Sequence, residues 1–315
     1  MKRKRNKRTQ NMQYNEENLI IYLCQKVEGI GEKTAIRIAG YMEDFSNFYE
    51  NSHRLSNFKS DRGKVVLTDV QITNIKNILH EYIVDNFKSI NELWVSVLIR
   101  DFVKNSIKEL QNTTLETLLI NPFLVKAFGF DDHKEVVTFY FYQKITRSIV
   151  TSWGFAVEGL LLCTGVNKSE IEGFDLKVER NDKTYHFQIK SSPNTMSIEQ
   201  VRQLNTHIKN IKDKFNNIPM LGMTYGTREQ INSQIQSTLI DYPQSTMIGR
   251  ELWDFIASED GYCQKVLNWI DKIMKLEPTK FSDELENKRN LLISDWENKF
   301  GTGKESIEKV LQNYL

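Results

Sequence analysis

Residues 173 to 192, GFDLKVERNDKTYHFQIKSS, constrain the fold more than any other stretch of the chain. Two runs alternate apolar and polar side chains with period two, Phe174 to Arg180 and Thr184 to Ser192. Asn181-Asp182 between them has the chemistry of a two-residue hairpin turn. Closing the turn there pairs Arg180 with Lys183 and, counting back along both strands, Asp175 with Gln188. Opposed residues share a face, and so do alternate residues along one strand. One face therefore carries Asp175, Gln188 and Lys190. Phe174, Leu176, Val178, Tyr185, Phe187 and Ile189 occupy the apolar face. A slip of one residue would bury Asp175 and Lys190, which the pattern forbids.

Around this hairpin the chain alternates strands with helices. A helix is expected over 134 to 163, another over 197 to 214, a buried strand over Ile218 to Tyr225 and a short strand over Thr246 to Ile248. Such alternation predicts an α/β domain. Ser197 with Gln200 forms a capping box for the helix at 197, and Arg202, His207, Lys209, Lys212 and Lys214 make that helix basic. Before Pro122 there is no proline, and apolar residues recur at helical spacing. They are Leu19, Tyr22 and Leu23; Ile72, Ile75, Ile78 and Leu79; Trp94, Val97 and Leu98; and Leu115, Leu118 and Leu119. The expected order is a basic tail (1–12), a helical domain (13–125) and an α/β domain (126–315).

With 315 residues, 40% of them hydrophobic and 26% charged, the chain has the composition of a globular protein with a sizeable core. Its three cysteines, Cys24, Cys163 and Cys263, are far apart and have no zinc spacing, which fits a reducing, cytoplasmic setting. MKRKRNKR at the start is followed by no apolar run, unlike a secretory signal. Ser148 to Asn167 carries a single charge, Glu158, and its polar side chains and central carboxylate make it a buried helix rather than a membrane span. Trp153, Trp253 and Trp269 are expected in the core. Net charge is +1, so bulk charge announces no polyanion partner. The six Lys and Arg among the first eight residues form either a solvated tail or an arm that meets phosphates.

Val27 to Tyr41 reads VEGIGEKTAIRIAGY. One helix ends near Lys26, Gly29-Ile30-Gly31 makes a tight turn, and a second helix opens near Glu32. Backbone N–H groups at that opening form an anion site, and Ile30 plugs the hairpin into the core, with apolar Ile36 and Ile38 behind it. The segment resembles the helix-hairpin-helix motif, which grips the DNA backbone without reading sequence. The resemblance implies that Gly29, Gly31, Lys33 and Thr34 contact DNA. An ordinary αα corner is the alternative.

The Asp175, Gln188 and Lys190 cluster resembles the PD-(D/E)xK nuclease signature, with Phe174 in place of the Pro and Gln188 in place of the second acid. RSIVTSWGFAVEG (Arg147 to Gly159), QIKSSPNT (Gln188 to Thr195), LGMTYG (Leu221 to Gly226) and IGRELWDFI (Ile248 to Ile256) occur in that order. They look like segments of type II restriction endonucleases of that superfamily, over roughly Lys134 to Trp269. The resemblance implies a restriction endonuclease-like mixed sheet flanked by helices. It implies Mg²⁺ held by Asp175, Gln188 and the Ile189 carbonyl, with Glu158 as an additional acid and Lys190 positioning water. Asn194, Thr195 and Arg202, just past Lys190, become candidates to meet DNA, while Tyr225, Thr227, Arg228 and Arg250 lie at strand ends where recognition is usually found. The resemblance also implies duplex DNA as substrate, a homodimer on a palindrome and a cognate methyltransferase that protects the host DNA. Two alternatives stand beside it: a repair or structure-specific nuclease of the same superfamily, and a DNA-binding protein with a degenerate nuclease domain.

Overall fold

The structure is a computed structural model that describes residues 13–60, 62–83, 89–212 and 216–312. The basic tail (1–12) and Lys214 lie outside the described residues. Among the described residues four α-helices come first: α1 (Glu16–Cys24), α2 (Glu32–Met42), α3 (Phe45–Glu50) and α4 (Asp69–Tyr82). Then come α5 (Ile90–Gln111), α6 (Pro122–Phe128) and the long α7 (His133–Leu162). The strands β1 (Asn167–Lys168), β2 (Leu176–Arg180) and β3 (Lys183–Lys190) lead to α8 (Ile198–Lys212), β4 (Asn217–Met223) and α9 (Ser233–Thr238). β5 (Thr246–Ile248), α10 (Arg250–Ala257), α11 (Tyr262–Met274), α12 (Phe281–Phe300) and α13 (Gly303–Gln312) complete the described chain.

The chain divides into two compact units that interleave in sequence. One comprises Met1–Leu98 with Val157–Ile273, the other Ile99–Ala156 with Met274–Leu315. The divisions fall inside α5, α7 and near the end of α11, so each of these helices supplies residues to both. In the second unit, Leu110, Val136, Val137, Tyr140 and Phe141 share a core with Leu292, Trp296, Ile307 and Val310. His133 is buried there, its Nε2 3.0 Å from a Glu297 carboxylate oxygen and its Nδ1 accepting from the Gly303 N–H at 3.1 Å. Trp153 stays half-buried, edge-on to Phe102 at 5.2 Å.

The first unit holds the opening helices and the sheet. Leu19, Leu23, Ile38, Ile72, Ile75, Leu79, Trp94 and Val97 form its helical core with Cys163. Ile30 is buried in that core, so the turn is plugged as expected. Two apolar positions depart from the periodic pattern: Ile36, in the first unit, is 45% exposed and Leu119, in the second, 83%. The chain has left helical geometry by Leu118, which releases Leu119 from the spacing that made it look buried.

The sheet has order β1-β2-β3-β4-β5. β1–β2 and β2–β3 are antiparallel, while β3–β4 and β4–β5 are parallel. Leu176 pairs with Phe187 and Arg180 with Lys183, the register read from the turn. Asn181 and Asp182 both have positive φ, at 50° and 58°. This is the geometry of a type I′ hairpin turn, which Asn and Asp tolerate.

One expectation is corrected here, because the sheet has no polar face. Gln188 pairs laterally with Leu221 and Lys190 with Met223, and these β4 residues pack under Val201, Leu204 and Ile208 of α8. On the opposite side Tyr185 and Phe187 meet Phe255 of α10 at ring separations of 4.8 and 5.8 Å. β3 is an interior strand covered on both sides, which is how sheets with parallel crossovers are built. Phe174 also departs from expectation. β2 begins only at Leu176, so Phe174 escapes the alternation and joins the α8-side core, 6.0 Å from the His186 ring.

Gly173 sets the entry into that strand. Its φ is +87°, and a Cβ there would overlap the His207 imidazole on α8. Gly173→Ala is expected to cost about 1–3 kcal/mol through strain and overlap together. Thermal unfolding followed by circular dichroism checks this. Adding His207→Ala should restore only part of the loss, since it removes the overlap and leaves the φ strain.

Candidate active site

At the mouth of the hairpin, just before β2, Asp175 leaves the ladder. Its N–H donates to the Phe187 carbonyl at 2.7 Å, and its Oδ2 accepts from the Ile189 N–H, also at 2.7 Å. The second bond fixes the carboxylate across the end of β3, within electrostatic reach of Glu158, Lys190 and Lys168. Burial pushes the Asp175 carboxyl above the ordinary aspartate range. The Ile189 N–H opposes that rise, the Glu158 charge adds to it, and Lys190 and Lys168 oppose it.

Gln188 is the unusual member. Its Oε1 is buried and has no hydrogen-bond partner among the described residues. An amide oxygen left so costs about 1–3 kcal/mol, and buried polar atoms are seldom left unpaired without a reason. It lies in the row that also holds Lys190, one residue before the Ile189 N–H from which the Asp175 carboxylate accepts.

Glu158 projects from the last turns of α7. Its partner is Lys168 on β1, at 2.9 Å, with both side chains about one quarter exposed. That partner was missed because a two-residue strand leaves no periodic signal. The Tyr14 hydroxyl lies close by: a Cβ on Gly159 would sit 3.2 Å from it. Burial, then the Cys163 and Glu158 charges, raise its pKa.

His186 was also missed. It is buried two residues before Gln188 on β3, its Nδ1 2.9 Å from the Ser169 hydroxyl and its Nε2 3.1 Å from the Asn217 Oδ1. Burial lowers its pKa, which keeps the ring neutral at neutral pH. The only signal was its place in the Gln188–Lys190 row, where an imidazole in a half-covered strand reads as solvated.

Among the described residues no three His, Cys, Asp or Glu side chains are grouped closely enough to hold a metal ion. The oxygen donors gathered here are two carboxylates and one amide. Hard divalent cations accept amide oxygens beside carboxylates, and the unpartnered Gln188 Oε1 is the donor such an ion would satisfy. The residues present thus fit a divalent cation.

The remaining candidates lie in loops and on helix surfaces. Ser197 caps α8 reciprocally with Gln200, at 3.0 and 3.4 Å. Asn194, Thr195 and Arg202 are exposed. Thr195 Oγ1 donates to the Ser192 carbonyl at 3.0 Å. Trp253 is buried, with its Nε1 donating to the Thr224 carbonyl at 2.9 Å, and Trp269 is buried against Tyr262. Arg228 is tied to Glu251 at 2.7 Å and to Thr246 Oγ1 at 3.3 Å.

The helical hairpin is a separate place in the same unit. Gly29 has φ +80°, and a Cβ there would stand 3.0 Å from Gln71 Nε2, so the turn needs glycine. Gly31 differs: it is the N-cap of α2, has φ −84°, offers no side-chain cap and has open space around its Cα. Lys33 is exposed and Thr34 half-buried at that helix start. No helix among the described residues is long and apolar enough to cross a membrane.

Comparison with curated proteins finds no match. A family model described as type II restriction endonuclease EcoO109I matches residues 88–277, which is more than half of the chain and takes in α7, the sheet and α11. The chain therefore belongs to the type II restriction endonuclease EcoO109I family.

Proposed function

We propose that the protein is a Mg²⁺-dependent endonuclease of the PD-(D/E)xK kind that cuts both strands of duplex DNA at a specific site. The observation that carries this is the buried Gln188 Oε1, unpartnered among the described residues, on the strand whose next N–H, that of Ile189, holds the Asp175 carboxylate, with Lys190 two residues on. The family match supports a restriction nuclease acting on DNA.

In this proposal Asp175, Gln188 and the Ile189 carbonyl hold the cation, and Glu158 supports it from α7. A bound cation supplies Lewis acidity to the scissile phosphate and to a nearby water. Asp175 is held for this by the Ile189 N–H, which occupies Oδ2 and leaves Oδ1 without a partner among the described residues. The Lys190 ammonium orients the attacking water and balances charge that develops on the phosphate. In-line attack leaves 5′-phosphate and 3′-hydroxyl ends. Duplex DNA has two-fold symmetry and each site cuts one strand, so a homodimer is the expected assembly. A cognate methyltransferase would protect the host sequence. Digesting a plasmid of known sequence with Mg²⁺ and mapping the ends tests all of this. Discrete fragments are expected, and uncut plasmid over a range of divalent metals would refute it.

The helical hairpin is proposed as a helix-hairpin-helix grip on the DNA backbone through Gly29, Gly31, Lys33 and Thr34. Gly31 permits a clean test, because a side chain fits there without disturbing the fold. Gly31→Val is expected to keep the fold, at a cost of about 1 kcal/mol or less for an N-cap poorer than glycine. It should weaken binding to cognate and random duplexes alike, with a slope of log affinity against log salt flatter by about one. Titrations at several salt concentrations measure both, and a loss confined to the cognate duplex would assign this turn to base readout.

A further inference from the structure

We propose that Asn232 is a positioning residue that holds the Asn194 side chain with its N–H donors outward, toward a hydrogen-bond acceptor on duplex DNA. This rests on the nuclease reading above.

The orientation follows from one backbone group. Asn232 caps α9, and its Oδ1 accepts from the Gln234 N–H at 2.7 Å. A backbone N–H can be met only by oxygen, so the Asn232 amide has a single orientation. Its Nδ2 then faces Asn194 and donates to the Asn194 Oδ1 at 3.0 Å. With its oxygen occupied, Asn194 presents Nδ2 elsewhere. Asn194 is exposed, and among the described residues nothing accepts from that nitrogen.

The backbone beneath is held as well. The Asn232 N–H donates to the Pro193 carbonyl at 3.1 Å, and the Asn194 N–H to the Ser192 Oγ at 3.3 Å. Gly226, at φ +107°, lies under Pro193 so closely that a Cβ there would be 2.8 Å from Pro193 Cγ. The donor therefore stands on a braced loop that leaves the carboxyl end of β3, four residues after Lys190. β3, β4 and β5 are parallel, and carboxyl ends of parallel strands are where open α/β sheets take ligands. A preset donor loses little entropy on binding.

The acceptor is either a phosphate oxygen or an acceptor on a base edge. Duplex affinity of wild type, N194A, N232D and the N194A/N232D double variant separates the cases. An Asp at a helix N-cap serves as well as Asn, so N232D keeps α9. Its second oxygen, however, now faces Asn194 and turns that amide around, presenting a carbonyl to DNA. N194A is expected to weaken binding about tenfold, and N232D by at least as much. In the N194A background N232D should add little, since it acts through Asn194. Equal losses on cognate and random duplexes place the acceptor on a phosphate, and losses on the cognate alone place it on a base. N232D binding like wild type, or losing the same factor in both backgrounds, overturns the proposal. Wild type that neither binds nor cuts duplex DNA would overturn the nuclease reading itself, so the two failures are distinguishable.

Discussion

Asp175→Asn is expected to melt at a higher temperature than the wild-type protein while cutting DNA at least a thousandfold more slowly. The variant keeps an oxygen to accept from the Ile189 N–H and loses only the buried charge. Burial, with the Glu158 charge adding to it, holds the Asp175 carboxyl above the ordinary aspartate range, so the folded protein binds this proton more tightly than the unfolded chain. The stability contributed by the group is therefore complete below the ordinary aspartate value and is lost as pH rises through the raised one. Above the raised value the wild type carries the whole of that cost, and the variant carries none. The difference in melting temperature should grow as pH rises through that value and then level off.

Cleavage runs the other way, since the ionised carboxylate is the proposed ligand. A thousandfold loss is about 4 kcal/mol of transition-state stabilisation, a reasonable amount for one ligand of a hard cation. Lys190→Ala should lose as much without gaining stability. Added Mg²⁺ or Mn²⁺ should raise the melting temperature of the wild type and not that of Asp175→Asn, because only a folded-state ligand set yields such a shift. Melting curves with and without metal, beside cleavage rates across pH, test the assignment by two separate readouts. Near wild-type cleavage by either variant would remove these residues from the active site.

The hairpin was legible from sequence because a side-chain period of two leaves one register compatible with burial, and Asn181-Asp182 marks where the turn must be. α8 was equally legible from its capping box. What escaped was set by contacts distant in sequence. Lys168 answers Glu158 from a strand too short to show a period. His186 has its polar partners on Ser169, just past β1, and on Asn217, the first residue of β4. The expectation of a polar sheet face failed for a similar reason. Alternation along two strands says which residues share a face, but not that α8 will cover it. Ile36 and Leu119 show the converse, since helical spacing marks an apolar residue for burial only while the helix and a facing element both continue. The Asn194–Asn232 pair joins loops 38 residues apart, and no local pattern links them.

Gln188→Ala is expected to cut at least a hundredfold more slowly than wild type, whereas Gln188→Glu should stay active and need less metal. The buried, unpartnered Oε1 is a cost to the fold that a ligand role would explain. An apolar isostere supports that separately: Gln188→Met should stabilise the protein while abolishing cleavage, since it removes the unsatisfied oxygen and keeps the volume. As an amide, Gln188 brings an oxygen without net charge, so attraction to a divalent cation is weaker than for an acid pair. A metal requirement in the millimolar range follows for wild type, with Mn²⁺ acting at lower concentration. Gln188→Glu supplies the missing charge, which shifts the metal optimum down. It also sets a second carboxylate beside Asp175, near Glu158, so the metal-free variant should be less stable than wild type at neutral pH and regain stability as pH falls. Cleavage rate against metal concentration for the four proteins, with melting temperatures in chelator, measures every element of this. If Gln188→Ala cuts like wild type, the amide is no ligand, and the cation would have to be held by Asp175 and Glu158 alone, with Glu158 first released from Lys168.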